Sequence, residues 1–369
     1  MIDYLYANNY KSFVNFRIDF SRSNLLIGIN GVGKSNVFTL IASIRDVVIG
    51  GGRVLEVLFP SWTCTRWMQS NIQTFEIGIS DTEDRYVYRL EIEHDVDHMK
   101  SGILSEHVTC NGDTLYQMVN GNAEVFDDEH NVNRVLADTN MSGTALVPIK
   151  NTFSKLKRFR DQMAGIILCT PNPKNMPDAV QNDVFIPQQD FSNIASTFAG
   201  VVLTDPEIYG DLAETFKVIS PGFCKARISV DHLFKRLILD YKYKDVACSY
   251  YFNELSDGER MLFALYILLY GFIKQGKAIL LDEPDNYLSL NEIQPWCINV
   301  EKELGEAGQC IMISHHPEII DYMAETGGVW MTRLSTGESK IAEDPTIGGN
   351  EDLLTYSEMI ARGLIDEAE

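Results

Sequence analysis

The alternation of apolar and polar positions divides the chain into three stretches. In the first, residues 1–6 and 16–20 read as short strands separated by the turn-like pair Asn8-Asn9. An apolar run at 24–29 leads into a glycine-rich segment. Val37, Leu40, Ile41, Ile44 and Val48 then recur at helical spacing until Gly50-Gly51-Gly52 stop the pattern. From 73 to 93 the period changes to two. Phe75, Ile77 and Ile79, then Tyr86, Tyr88, Leu90 and Ile92, flank a polar turn at 81–84 and predict a hairpin. Further short strands are expected across 103–126. From about 139 to 225 polar helices alternate with loops carrying Pro171, Pro173, Pro177, Pro187, Pro206 and Pro221, which reads as an inserted lobe. The last stretch predicts strands at 226–251, a helix at 256–274, a strand at 278–281, a helix at 290–304 and strands at 309–313 and 329–332. Domains are therefore expected at 1–138, 139–225 and 226–369, without internal repeats or sustained heptads.

Composition narrows the class. The 369 residues are 45% hydrophobic and 22% charged, ordinary globular usage that excludes a disordered tail, a collagen-like fibre and a coiled-coil rod. No apolar run approaches the roughly 18 residues a membrane span needs, and the N-terminus lacks the basic start and apolar core of a signal peptide. Cysteines 64, 110, 169, 224, 248, 297 and 310 form no CxxC pair. They read as small core residues of a cytoplasmic protein. The formal charge is −21, from 31 basic and 52 acidic side chains. The acid is uneven: residues 1–250 carry 24 basic and 30 acidic groups, residues 251–369 carry 7 and 22. Such a balance argues against nucleic acid over the whole surface, where phosphates dominate affinity. It leaves room for two local basic clusters: Lys150, Lys155, Lys157, Arg158 and Arg160, and Lys225, Arg227, Lys235, Arg236, Lys242 and Lys244.

The chemistry begins at Gly28-Ile29-Asn30-Gly31-Val32-Gly33-Lys34-Ser35, which fits G-x-x-x-x-G-K-[ST] at every fixed position. Glycines let successive backbone N–H groups curl around phosphate oxygens. The following helix points its N-terminus at the same anion. Asn30, Gly31, Gly33 and Asn36 are expected along the nucleotide. Lys34 is expected on the β and γ phosphates, and the Ser35 hydroxyl on Mg²⁺. Far downstream, the apolar residues 278–281 end in Asp282-Glu283. Asp282 suits a magnesium ion beside a phosphate loop, and Glu283 suits a base that polarises an attacking water.

Three further motifs follow. Leu255-Ser256-Asp257-Gly258-Glu259-Arg260 is a capping box, with Ser256 as the N-cap and Glu259 three residues on. It also resembles the signature motif of ABC-type ATPases, in which Ser256, Gly258 and Glu259 would meet the γ-phosphate of nucleotide held by a second copy. Asp285-Asn286-Tyr287-Leu288 stands at the position of the loop that crosses to that copy. Of the two histidines in Ile313-Ser314-His315-His316-Pro317-Glu318, His315 holds the place of the switch histidine that contacts γ-phosphate.

With these motifs in order, the sequence resembles the RecF/SMC-like ABC ATPases, in particular the standalone bacterial AAA_21-type group. The resemblance is carried by Tyr10-Lys11-Ser12-Phe13, residues 27–35, Asn193-Ile194-Ala195, residues 252–260, 280–288 with Ile293-Gln294-Pro295-Trp296, and 313–321. It covers residues 60–185 poorly. No Q-loop glutamine is obvious; Gln188 or Gln189 is a candidate.

The resemblance implies an α/β fold: an ABC-type ATPase head with a P-loop core sheet, an antiparallel β subdomain and an inserted mainly helical lobe. It implies ATP hydrolysis with Mg²⁺, catalysed by Glu283 and His315, and self-association through ATP-sandwiched heads. Members often stand beside a nuclease or other toxic effector, so the implied role is a sensor that gates such a partner in defence against phage or plasmids. Two alternatives are a RecF-like DNA-binding ATPase of repair or maintenance and a scaffold that uses ATP as assembly glue.

Overall fold

A computed structural model describes residues 1–50, 55–95, 97–98, 100–127, 132–136, 144, 146, 153–181, 184–231, 234–342 and 355–361. They form two compact units, Met1–Ile166 with Ile320–Glu369, and Ile167–Ile319.

The first unit is built on an antiparallel sheet with strands in the order Phe16–Asp19, Ile2–Asn8, Ile72–Ser80, Arg85–Asp95, Lys100–Cys110, Asp113–Val119, Asn122–Phe126 and Val132–Leu136. The hairpin expected at 73–93 is present, with Ile77 opposite Tyr88 and Ile79 opposite Tyr86. The period of two puts Phe75, Ile77, Tyr86, Tyr88, Leu90 and Ile92 on the buried face. The helix Ser154–Ala164 covers that face through Phe159, whose ring centroid lies 5.8 Å from Tyr86 and 5.9 Å from Tyr88. One carboxylate is fully buried in this layer. Glu106 accepts hydrogen bonds from the hydroxyls of Tyr88 (2.7 Å), Tyr116 (2.9 Å) and Thr144 (2.7 Å), and burial pushes its pKa up despite them.

The same unit holds the strand Ser23–Ile27 parallel to Gly328–Arg333, which pairs antiparallel with Ser339–Ile341. After Ser23–Ile27 comes the helix Lys34–Ile49, which buries Val37, Leu40, Ile41, Ile44 and Val48 as their spacing predicts. The helix ends at Gly50, whose left-handed φ of 69° lets its N–H reach the carbonyls of Asp46 and Val47.

In the second unit the strand Ala278–Asp282 runs parallel to Gln309–Ile313. Apart from Asp282 at the end of the first and Gln309 at the start of the second, both are apolar and buried, the mark of strands covered on two faces. A second, antiparallel sheet centres on Phe234–Tyr243. Phe223–Asp231 lies along one edge, and Ala179–Val180 and Val246–Tyr251 share the other. Helices Ile194–Thr204, Pro206–Ile219, Asp257–Leu268 and Leu290–Glu303 complete the unit. The helix expected across 256–274 differs in detail: after Leu268 it widens into a π turn, Leu269–Ile273. Buried Trp296 ties two of these helices, its indole N–H donating to the Leu265 carbonyl at 3.0 Å.

The cysteine expectation needs correction. Cys110, Cys169, Cys297 and Cys310 are buried, but Cys64 and Cys248 are half-buried and Cys224 is exposed. A register shift between Phe223 and Lys225 breaks the alternation of that strand at Cys224. Among the described residues no helix is long and apolar enough to cross a membrane.

Candidate functional site

The glycine-rich loop of the first unit is shaped from a distance. A Cβ at Gly28 (φ 154°) would lie 2.3 Å from the Met331 carbonyl oxygen, so only glycine fits. Gly33 (φ 109°) forms the N-cap of Lys34–Ile49, where a Cβ would meet the Phe13 ring at 3.0 Å and Ser339 Oγ at 3.3 Å. The Ser339 hydroxyl lies 2.6 Å from the Val32 carbonyl and 2.7 Å from Ser12 Oγ. Arg333 reaches the Gly31 carbonyl at 3.4 Å.

Inside this frame Lys34 is buried, and its ammonium donates to the carbonyls of Gly28 (2.5 Å) and Ile29 (3.1 Å). That places a fixed positive charge at the centre of the loop, at the N-terminus of a sixteen-residue helix. Asn30, Gly31 and Ser35 are exposed at the loop's mouth, and Asn36 is half-buried. The loop thus sets one buried lysine and one exposed hydroxyl at a helix N-terminus, the residue types that suit an anion.

Arg333 and Ser339 carry no assignment from sequence reasoning, and Lys11 enters it only within Tyr10-Lys11-Ser12-Phe13, without a role. Lys11 (φ 52°) donates to Asn36 Oδ1 at 2.7 Å, and burial lowers its pKa. Its positive φ is invisible to periodicity. Ser339 and Arg333 act through chain folding alone.

The second unit carries the other predicted residues. Asp282 ends the strand Ala278–Asp282, half-buried. Glu283 turns the chain with φ 50°, unusual for a side chain other than glycine, and its N–H is held by the Ile313 carbonyl at 2.9 Å. Its carboxylate accepts from Asn286 Nδ2 at 2.8 Å. Strain of this kind clusters at functional positions. Asp285 Oδ1 is buried and has no hydrogen-bond partner among the described residues. The Asp285 carboxylate and Glu301 add to the effect of burial in pushing the Cys297 thiol up to about 12.

The capping box forms as expected. Ser256 Oγ accepts from the Glu259 N–H at 3.2 Å, and Glu259 Oε2 accepts from the Ser256 N–H at 3.1 Å. Arg260 pairs with Asp257 and donates to the Pro173 carbonyl at 2.6 Å. Gly258 lies beside the loop after the carboxylates, where a Cβ would come within 3.2 Å of the Tyr287 carbonyl. His315 is exposed beyond the strand Gln309–Ile313, while His316 Nδ1 accepts the Glu318 N–H at 3.3 Å and so belongs to the start of the next helix. Gln189 lies 3.5 Å from Thr170, and Gln188 accepts from Ser192 at 2.6 Å. Among the described residues no group of three or more His, Cys, Asp or Glu gathers as a metal cluster.

The basic clusters are only partly surfaces. Lys150 lies outside the described residues. Arg158 is engaged by Asp81, Glu83 and Asp84. By strand alternation Lys225, Arg227, Arg236 and Lys242 share one face of the second unit's antiparallel sheet, with Asp240 pairing Arg227 at 3.0 Å and Asp178 pairing Arg236 at 2.8 Å. Lys235 lies on the opposite face, over the Phe185 ring.

Residues 248–321 match the family described as "AAA domain, putative AbiEii toxin, Type IV TA system". That stretch holds the serine-glycine turn, the carboxylate strand and His315, and excludes the phosphate loop. No curated protein matches the chain. Among solved structures, 92% of the chain aligns with the SmcHead bound to the C-winged helix domain of ScpA, at 17% identity, 97% of that chain and a TM-score of 0.53. A similar alignment, 92% of this chain and 95% of the other at 14% identity and a TM-score of 0.51, joins it to the Smc head domain with an extended coiled coil bound to the C-terminal domain of ScpA derived from Pyrococcus furiosus. Likeness at these identities shows the fold: this chain has the α/β fold of the SMC head.

Proposed function

We propose that the protein is an ABC-type ATPase whose copies close head to tail on ATP and thereby gate a separate effector protein. The observation that carries the reading is the phosphate loop, with Lys34 fixed at its centre and glycine obligatory at 28. Lys34 and the loop amides neutralise the triphosphate. Ser35 would hold a magnesium ion, with Asp282 behind it through water, and that ion would offset charge on the β and γ phosphates. Glu283 orients the attacking water, and His315 contacts the γ-phosphate. The roles of Asp282, Glu283 and His315 rest on motif order in the sequence. Ser256, Gly258 and Glu259 serve the nucleotide of a second copy, and the partnerless oxygen of Asp285 suits a contact across that dimer. The ScpA-bound Smc heads support partner binding by such a fold, and the toxin-system description of the matched family supports a defence role.

The test is Glu283→Gln with ATP. We expect an ATP-dependent dimer by light scattering that does not decay, while Lys34→Ala binds no nucleotide. A Glu283→Gln variant that binds ATP and stays monomeric overturns the head-to-tail reading. A second reading, an ATPase acting on DNA, is favoured by the shared face of Lys225, Arg227, Arg236 and Lys242. It requires DNA affinity that falls steeply with salt and is lost on reversing Lys225 and Lys242.

A further inference from the structure

The strand Phe223–Asp231 is an outer strand of the second unit's antiparallel sheet, and among the described residues no strand pairs with its far side. Its two halves differ. Toward Phe223 the edge is blocked. The register shift between Phe223 and Lys225 breaks the ladder, and the Ala226 N–H donates to the Tyr209 hydroxyl at 3.2 Å. Bulges and side-chain caps of this kind keep other chains off a sheet edge. Toward Asp231 the edge is open. Backbone groups along an antiparallel strand turn alternately toward and away from the neighbour. Ala226 turns away, so Ile228 and Val230 turn away as well. Leu237, which stands opposite Ile228, agrees, because its N–H goes to the Asp178 carbonyl on the other side. Val230 is 70% exposed and Ile228 is half-buried. An apolar, uncapped stretch of edge is a template for another extended chain.

The residues around Ser229 match their own reverse. They read Arg227-Ile228-Ser229-Val230-Asp231. With a two-fold axis through Ser229, an antiparallel second copy sets its Val230 opposite Ile228, its Ser229 opposite Ser229 and its Asp231 opposite Arg227. Apolar meets apolar, hydroxyl meets hydroxyl, and a cation meets an anion at each end. Ile228 and Val230 are the residues whose backbone groups turn outward, so this register lets each exchange N–H···O=C bonds with the other. Centring the axis on Ile228 instead would need the Ala226 N–H that Tyr209 already holds.

We infer that the edge Ile228–Val230 is a contact surface for a second copy of this chain, paired antiparallel about Ser229. The contact is isologous and needs no nucleotide, so it goes beyond the ATP-dependent closure proposed above. So short a ladder buries less than the roughly 1,200 Å² of a stable interface. The contact therefore forms in concentrated protein, and it tightens when ATP closure puts two edges on one particle. A chain with two different isologous contacts builds assemblies larger than a dimer.

The experiment is register-specific crosslinking of the full-length chain without ATP, in a Cys224→Ser background because Cys224 is an exposed thiol of the same strand. Diamide is the oxidant and takes up the two electrons and two protons that a pair of thiols gives on forming a disulfide. Ser229→Cys sets two thiols opposite each other in a non-hydrogen-bonded pair, where cross-strand Cβ atoms are closest, and a linked dimer is expected. Val230→Cys alone should not link, whereas a mixture of Val230→Cys and Ile228→Cys chains should. Adding Val230→Pro to Ser229→Cys removes only an outward N–H, at an edge position where proline is tolerated, and should abolish linking. Adding Asp231→Lys sets like charges at both ends and should slow linking about tenfold. A Ser229→Cys thiol that reacts with maleimide yet does not link overturns the inference and leaves the edge to an extended segment of a different protein. Linking that Val230→Pro leaves unchanged also overturns it, as does Val230→Cys alone linking as fast as Ser229→Cys. Because no nucleotide is present, these outcomes are separate from the success or failure of the head-to-tail reading.

Discussion

The phosphate loop and the serine-glycine turn both present the N-terminus of a helix, and they are held in opposite ways. The loop takes its shape from residues far along the chain: Val32 from Ser339, 307 positions away, and Gly31 from Arg333, 302 positions away. The turn holds itself, through Ser256 and Glu259 three positions apart and the pair Asp257–Arg260 at the same spacing. A turn capped from within depends less on distant segments, although Arg260 also reaches the Pro173 carbonyl, and it can face outward, where Ser256 is exposed. A loop shaped by distant segments exists only when the whole unit is folded, and it can be held in a conformation that local propensity disfavours.

The sharpest way to break that contrast is Gly28→Ala. The new methyl would sit 2.3 Å from the Met331 carbonyl, at a φ of 154° that alanine avoids. Backbone strain and overpacking together cost roughly 3 kcal/mol. We expect a marked drop in the denaturation midpoint, and loss of ATP binding, although Lys34 and Ser35 remain in place. A variant as stable and as tight for ATP as the native chain would show that the strand Gly328–Arg333 does not shape the loop.

The same contrast explains what the sequence discloses. The hairpin with Ile77 opposite Tyr88 was legible because a period of two needs only neighbouring residues. The capping box and the helix ended by Gly50 were legible for the same reason. The pairing of Ser339 with Val32 was not, since nothing within either segment points to the other. Glu106 was equally hidden. It stands in an ordinary-looking strand, and only the fold brings the Tyr88, Tyr116 and Thr144 hydroxyls onto its carboxylate. Lys11 was named in the resemblance without a role, because only the fold brings its ammonium to Asn36. Within the candidate site, residue types with a fixed spacing could be read, and the side chains that position them could not.

The smallest expected effect on stability is the most informative about function. Gly258 is the second residue of the helix Asp257–Leu268, and its φ is not left-handed. In Gly258→Ala the methyl would lie 3.2 Å from the Tyr287 carbonyl and 3.9 Å from the Leu288 side chain, so the neighbouring loop must shift by a few tenths of an ångström. Alanine gains up to about 1 kcal/mol in helix propensity, and the crowding offsets a comparable amount. The net change in stability should fall within about 0.5 kcal/mol. Under the proposed function the methyl also stands where the γ-phosphate of a second copy must approach the N–H groups of this turn. ATP affinity of the single chain should therefore hold, while the ATP-dependent dimer of Glu283→Gln should be lost when Gly258→Ala is added. A double variant that dimerises normally would reduce the turn to a helix cap, and the contrast with the phosphate loop would then concern folding alone.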